Sequence, residues 1–320
     1  MHRESSFSVK KIISYLRQHW AADFRPGYYA TVTVFLAVTI SLNYHLDFED
    51  NVIDAYYGQS IRVFYYFLLY AFAYYAATLI YTAFRDRWSL WQRPGFWVRS
   101  LFCLAVLSLD KSFHYHNYFI RSYLPSETWL YAIRLTKQLL SMLTSVLPLY
   151  LFYRFADRQS KSFYGLTVRG FDVRPYAMML ALMVPLIVAA SFNEGFLRTY
   201  PRYQEAGVVA FWEVPEWIPT LAYELAYGLD FLSIELLFRG FMVLGMAVVM
   251  GRAAVMPMVV TYAFLHFGKP AGETVSSIFG GYILGVIAYQ SRSVFGGVLI
   301  HVGIAWLMEL AAYVQKEFYS

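Results

Sequence analysis

The charged residues of this chain fall into short clusters separated by long apolar gaps, and that spacing limits what it can fold into. A membrane helix needs about 20 mostly apolar residues. Gaps of about that size, some shorter, lie at 27–44, 63–84, 96–109, 129–153 and 175–193. A second series follows at 217–232, 234–250, 253–267, 274–289 and 294–314. Such a pattern predicts an all-α polytopic transmembrane helix bundle with about eight to ten spanning or re-entrant helices.

Composition agrees. Hydrophobic residues make up 59% and charged residues 15%, against about 25% charged in an ordinary soluble domain. A chain so short of polar groups cannot clothe a soluble surface, and it carries far more apolar material than a disordered chain would. Aromatic residues reach 20%, as expected where Trp and Tyr sit at membrane interfaces. The net charge of +5 comes from Lys and Arg lying between apolar gaps, where they signal topology. No basic run resembles a nucleic-acid patch, and no nucleic-acid partner is expected. The single cysteine, Cys103, excludes an internal disulfide framework and a paired-cysteine zinc site. The first 25 residues are mixed and charged, so no cleavable signal peptide is expected.

The connections alternate in charge. Lys10, Lys11, Arg17 and Arg25 precede the first gap, and Asp47, Glu49, Asp50 and Asp54 follow it. Then come Arg85, Arg87, Arg93 and Arg99, and later Arg154, Arg158, Lys161, Arg169 and Arg174. The Lys/Arg bias places the N-terminus and the two later basic loops on the cytoplasmic side, with the acidic loop facing away. The segment 163–176 reads as a short amphipathic stretch leading into the fifth helix.

The rear half differs from the front, because its apolar segments contain Glu224, Asp230, Glu235, Arg239, His266, His301 and Glu309. Ionisable groups at membrane depth cost roughly 2.5–3.5 kcal/mol each on insertion scales, and they normally face the bundle interior and mark function. Glu235 and Arg239 are four apart and share a helix face. They form either an intrahelical ion pair that neutralises two buried charges or a carboxylate oriented by an arginine. His266 ends a Tyr262-Ala263-Phe264-Leu265-His266 run, and His301 lies well inside the last apolar segment. One carboxylate and two histidines on successive rear helices can activate water, the carboxylate as general base. The same three, Glu235, His266 and His301, can instead hold a divalent metal.

The order Glu235-x-x-x-Arg239-Gly240, then Tyr262-x-x-x-His266, then His301 in a helix of small residues, resembles the CAAX-processing and bacteriocin-processing family of intramembrane endopeptidases. The surrounding text, LLFRGF, LHFGKP and GGYILGVIAYQSRSVFGGVLIH, resembles it too, over about residues 217–312. The resemblance implies a membrane-embedded endopeptidase with no required organic cofactor, acting on a peptide or membrane-proximal protein chain within the lipid bilayer. It implies roles for Glu235 or Asp230 with His266 in activating water, for His301 in stabilising the oxyanion and for Arg239 in orienting Glu235. It also exposes departures. The family pattern has two adjacent glutamates, and the first falls here on Ile234. Its aromatic is Phe where this chain has Tyr262, and its last motif ends in Asn or Asp where this chain has Ala305. Asp230, four residues before Ile234, is the carboxylate on that same face. The rival reading is therefore a catalytically inactive member that binds, confers immunity or scaffolds. A transporter or proton relay through Asp230, Glu235 and His301 ranks third, since the inverted repeat and paired broken helices of many carriers are absent.

The remaining features are expected to be structural. His114 and His116 are placed in an outer loop, Glu273 and Glu309 at helix ends or in packing, and Pro185 at a kink. Gly281 and Gly285 form a G-x-x-x-G packing pair, and Gly296, Gly297 and Gly303 read alike. Residues 1–160 are expected to form a variable front bundle and 161–320 the site-bearing rear. The expected location is a bacterial cytoplasmic membrane, with the N-terminus in the cytoplasm.

Overall fold

A computed structural model describes residues 9–157, 162–168, 171–203 and 207–319. Arg158, Lys161 and Arg169, which belong to the expected cytoplasmic loop, lie outside the described residues. Those residues are 84% helical and contain no strand, as the apolar gaps predict. The front helices are α1 (Val9–Asp23), α2 (Pro26–Leu46), α3 (Ile61–Arg85), α4 (Pro94–Ser112), α5 (Tyr115–Tyr123), α6 (Trp129–Ser141) and α7 (Leu147–Phe155). The rear helices are α8 (Arg174–Ala190), α9 (Glu194–Thr199), α10 (Val208–Trp212), α11 (Trp217–Glu235), α12 (Ala247–Met250), α13 (Val255–Leu265), α14 (Ala271–Ser291) and α15 (Phe295–Tyr319).

Local chemistry sets the ends. Pro26 and Pro94 open α2 and α4, where a missing N–H costs nothing and the fixed φ suits the first turn. The C-caps of α2, α3 and α14 are Asp47, Asp86 and Arg292, each in the left-handed region with φ of 49°, 50° and 59°. Their backbone N–H groups return to Asn43, Thr82 and Ala288 carbonyls.

Among the described residues, six helical stretches are long and apolar enough to cross a membrane, which makes the chain an integral membrane protein. One of them, Trp217–Leu265, has 49 residues and as a straight helix would be about 74 Å long, more than twice a hydrocarbon core. It folds back at Gly251, whose φ of 60° and ψ of −137° suit glycine alone. Before that turn the sequence reading separates 217–232 from 234–250. The structure runs them together, because α11 continues without a break into a π-helical segment, Leu236–Gly245. Residues 163–168 belong to the short amphipathic stretch expected over 163–176 before the fifth helix. They form a turn that tucks Tyr164, 1% exposed, against Phe241 and Gly240, and helix begins only at Arg174. His114 lies in the short connection before α5, as its N-cap, whereas His116 is not in a loop but in the first turn of α5, buried.

The site is held by α13. Every residue from Val255 to Phe264 is buried, with α3 on one side and α14 on the other. Helix α14 approaches through Gly281 and Gly285. A Cβ at Gly285 would lie 2.5 Å from Met258 Cε, and one at Gly281 would lie 3.2 Å from Tyr262 Cδ1. The largest apolar core takes residues from α2, α3, α4, α7, the π segment, α13 and α14 alike.

Candidate active site

Three rear elements meet at Glu235, His301 and Tyr262. The first is the junction of α11 with the π segment. Glu235 ends the α-helical winding and Arg239 sits in the first turn of the wider winding, a geometry frequent at functional sites. Their side chains are completely buried, and Arg239 Nη1 donates to Glu235 Oε1 at 2.8 Å. Arg239 Nε and Nη2 have no partner, but the guanidinium carbon lies 4.4 Å from the Tyr262 ring centre, a desolvated cation–π contact.

The second element is α15. Its His301 reaches Glu235 Oε1 with Nδ1 at 2.5 Å. On the same face, one turn earlier, is Gly297. A Cβ there would lie 1.8 Å from Glu235 Oε2, so only glycine lets this helix come close enough for His301 to bond the carboxylate. Phe231 stacks on the His301 ring at 5.5 Å and 14°. Phe231 precedes Glu235 by four residues, as Gly297 precedes His301, so a helical spacing of four was the signal that sequence reasoning passed over.

The third is α13. Tyr262 Oη lies 2.7 Å from His301 Nε2. Glu235, His301 and Tyr262 thus form an unbroken carboxylate–imidazole–phenol line, and both nitrogens of His301 are engaged. Tyr262, treated in the sequence as a mild departure, is the third member of this line. One turn on, His266 Nδ1 lies 2.8 Å from the Tyr262 carbonyl oxygen. A carbonyl only accepts, so Nδ1 carries the proton and the lone pair is on Nε2. The Tyr262 and His266 rings are 4.5 Å apart.

The expected residues are therefore only partly brought together. Glu235, Arg239 and His301 are in contact, and His266 adjoins them through Tyr262. Asp230 is not among them: it lies beside Ser141 of α6 and near Asp110, Lys137 and Lys269. The reason is angular. Five residues of α-helix turn Asp230 about 140° from Glu235, onto the face of Ile234. No side chain of the described residues links Asp230 to the Glu235–His301 pair. Among the described residues, no group of three or more His, Cys, Asp or Glu is arranged to hold a metal ion. Glu235, His266 and His301 do not form such a set, because His301 spends its two nitrogens on Glu235 and Tyr262. The two departing positions are filled with apolar contacts. Ile234 packs against the main core, and Ala305, 4% exposed, lies in a cluster with Tyr131, Tyr223 and Tyr227.

Two other carboxylates of the rear half, Glu309 and Glu273, serve packing. Glu309 accepts from the Arg202 backbone N–H with both oxygens, at 2.9 and 2.8 Å. Glu273 meets Tyr200 Oη at 3.2 Å and Lys269 Nζ at 3.8 Å.

Residues 215–307 match the family model described as Rce1-like, type II CAAX prenyl endopeptidase Rce1-like. The matched segment contains Glu235, Arg239, Tyr262, His266 and His301, and it bears out the resemblance read from the motifs. Neither curated proteins nor solved structures give a significant match to the chain.

Proposed function

We propose, from the place of residues 215–307 in the CAAX-processing protease family, that this chain is a membrane-embedded endopeptidase working through His266, Tyr262 and His301. The observation that carries the reading is the pinned tautomer of His266. With Nδ1–H held by a carbonyl, Nε2 offers its lone pair beside the Tyr262 ring. His301 keeps 15% of its side-chain surface open, so the imidazole–phenol end of the line is reachable.

In this reading His266 Nε2 takes a proton from water as the water oxygen attacks the scissile carbonyl carbon. The Tyr262 hydroxyl supplies the oxyanion donor. When His301 donates Nδ1–H to Glu235 and Nε2–H to the Tyr262 oxygen, the phenol hydrogen is left to point at the developing oxyanion. Collapse of the tetrahedral intermediate breaks the C–N bond, and the proton on His266 passes to the leaving nitrogen. Arg239 and Gly297 position Glu235 and do not touch substrate. Asp230, on the Ile234 face, takes no part. The substrate class is a peptide or a membrane-proximal end of a protein chain, and the N-terminus lies in the cytoplasm.

The test is cleavage of membrane-anchored peptides by the purified chain in proteoliposomes, read by mass spectrometry. Loss of a general base typically costs about 10²–10⁴ in rate, and loss of one oxyanion donor about 10²–10³. His266→Ala and Tyr262→Phe should fall by those amounts, while Asp230→Asn should retain activity. Cleavage undiminished in His266→Ala would sink the mechanism.

A second reading is favoured by Ile234 and Ala305, whose apolar side chains fill the positions of the family's first Glu and last Asn. In that case the line orders a binding cavity and the chain captures peptides without cutting them. Retention of an intact peptide by the wild type, with no product after prolonged incubation, would select it.

A further inference from the structure

One end of the bundle carries a cavity, at the opposite end of α14 from His266. It is formed where α1 passes into α2, where α3 and α14 end, and at the Gly251 turn. Its volume is about 470 Å³. Arg25, Arg85, Arg87, Arg93 and Arg252 line it, with Asp23 as the one carboxylate in the wall.

That carboxylate is already engaged. Asp23 Oδ2 accepts from Tyr29 Oη at 3.0 Å, and its Oδ1 lies 3.5 Å from Arg85 Nη2, which also donates to the Asp23 carbonyl. Arg85 Nε, buried at the base, has no partner. Arg93 spends one nitrogen on the Val249 carbonyl at 3.2 Å. Arg25, Arg87 and Arg252 make no side-chain hydrogen bond or ion pair among the described residues. Several guanidinium groups are thus collected around one concave space with their charge uncompensated. Like charges so placed repel, and the field they sum to concentrates anions.

We propose that this cavity binds an anionic phosphate group, held by Arg87 and Arg252 at the rim and by Arg85 at the base. Guanidinium forks match phosphate oxygens two at a time, which an ammonium does not. The helix termini put the cavity at the level where a bilayer presents headgroups, so the phosphate of an acidic phospholipid fits it, as basic pockets between membrane helices do. A soluble phosphate compound offers the same chemistry. The proposal is independent of whether the chain cleaves peptides.

The experiment uses the full chain. Native mass spectrometry from nanodiscs of phosphatidylcholine, with and without phosphatidylglycerol, reads lipid retention. Titration of the detergent-solubilised chain with inorganic phosphate or pyrophosphate, followed by thermal shift, reads the soluble source. The wild type should retain phosphatidylglycerol over phosphatidylcholine at one per chain. Each basic residue near an anionic surface is worth roughly fivefold, so Arg87→Ala/Arg252→Ala should weaken retention about thirtyfold. Arg87→Lys/Arg252→Lys, which keeps the charge and loses the fork, should weaken it severalfold and carries the test if the alanine pair does not fold. Arg121→Ala/Arg198→Ala, away from the cavity, should leave it unchanged. A saturable shift with phosphate or pyrophosphate, lost in the same variants, would uphold the phosphate site and assign the soluble source. Binding of neither class, or equal retention by the wild type and both cavity variants, would overturn the proposal.

Discussion

Replacing Arg239 by methionine should cost far more than the Glu235–Arg239 bond contributes. Both side chains are fully enclosed, and the bond between them is 2.8 Å. Arg239 makes a single hydrogen bond to that carboxylate while Nε and Nη2 stay unpartnered. Desolvation of the guanidinium is therefore offset by one hydrogen bond and the Tyr262 ring, and the intact pair stands near break-even. Removing one partner is another matter, because it strands a buried charge at a cost of about 3–5 kcal/mol. Arg239→Met should lose that amount. Glu235→Gln/Arg239→Met removes both charges, keeps an oxygen for His301 Nδ1–H, and should recover most of the loss. The coupling in this cycle should be at least about 3 kcal/mol, because each single change strands a buried charge and the double variant strands none. The assay is unfolding in mixed micelles, titrated with sodium dodecyl sulfate and followed by tryptophan emission. A double variant as unstable as the sum of its singles would refute the reasoning, since the two charges would then not be compensating each other.

Other outcomes follow from the same geometry. Gly297→Ala puts a methyl 1.8 Å from Glu235 Oε2; it should cost about 1–3 kcal/mol as overpacking and cut peptide cleavage, with the two losses measured in one preparation. Tyr262→Phe keeps the ring under Arg239 and leaves only His301 Nε2 without its partner, so it should cost no more than about 1–3 kcal/mol of stability while cleavage falls about 10²-fold or more. Glu309→Ala strands the Arg202 backbone N–H, a penalty of about 1–3 kcal/mol; limited proteolysis should then cut sooner at Arg202 than in the wild type.

How much of this is legible in the sequence depends on the kind of interaction. Helix positions are legible because the membrane imposes a length and excludes charge, so the gap at 63–84 becomes α3 over Ile61–Arg85 with little freedom. The pairing of Glu235 with Arg239 is legible because it is local and helical. Gaps alone do not distinguish a loop from a continuous winding, which is why 217–232 and 234–250 read as two elements and fold as one. The orientation of Asp230 is also local arithmetic: its 140° offset from Glu235 was available beside its alignment with Ile234. What no spacing reveals is the contact of Glu235 with a helix more than sixty residues later. That contact depends on Gly297 lacking a side chain, and a glycine among Gly296, Gly297 and Gly303 carries no mark of which carboxylate it admits. The anion cavity is of the same kind. Arg25 and the Arg85, Arg87 and Arg93 loop read as two separate topology signals, and Arg252 as neither, until helix ends bring them to one place.

The departures from the family pattern belong to one local rearrangement. In this chain both nitrogens and one face of His301 are taken: Phe231 lies on that face, Glu235 on Nδ1 and Tyr262 on Nε2. Ala305 lies apart from this line, in a cluster with Tyr131, Tyr223 and Tyr227. The phenol at 262 adds the one hydroxyl that reaches the imidazole, on the helix turn that also carries His266. The partner of His301 Nε2 is thus supplied from α13, by Tyr262. Ile234 fits the same logic, because a second carboxylate beside Glu235 would point to the Asp230 face, where Asp230, Asp110 and Lys137 already lie near one another. Restoring Glu at 234 alone should therefore leave any cleavage unimproved, whereas Ile234→Glu combined with Asp230→Asn removes the competing charge and should raise it. Improvement by the single substitution would show that the face was open, and that the rearrangement around His301 and the loss of the first Glu are unconnected.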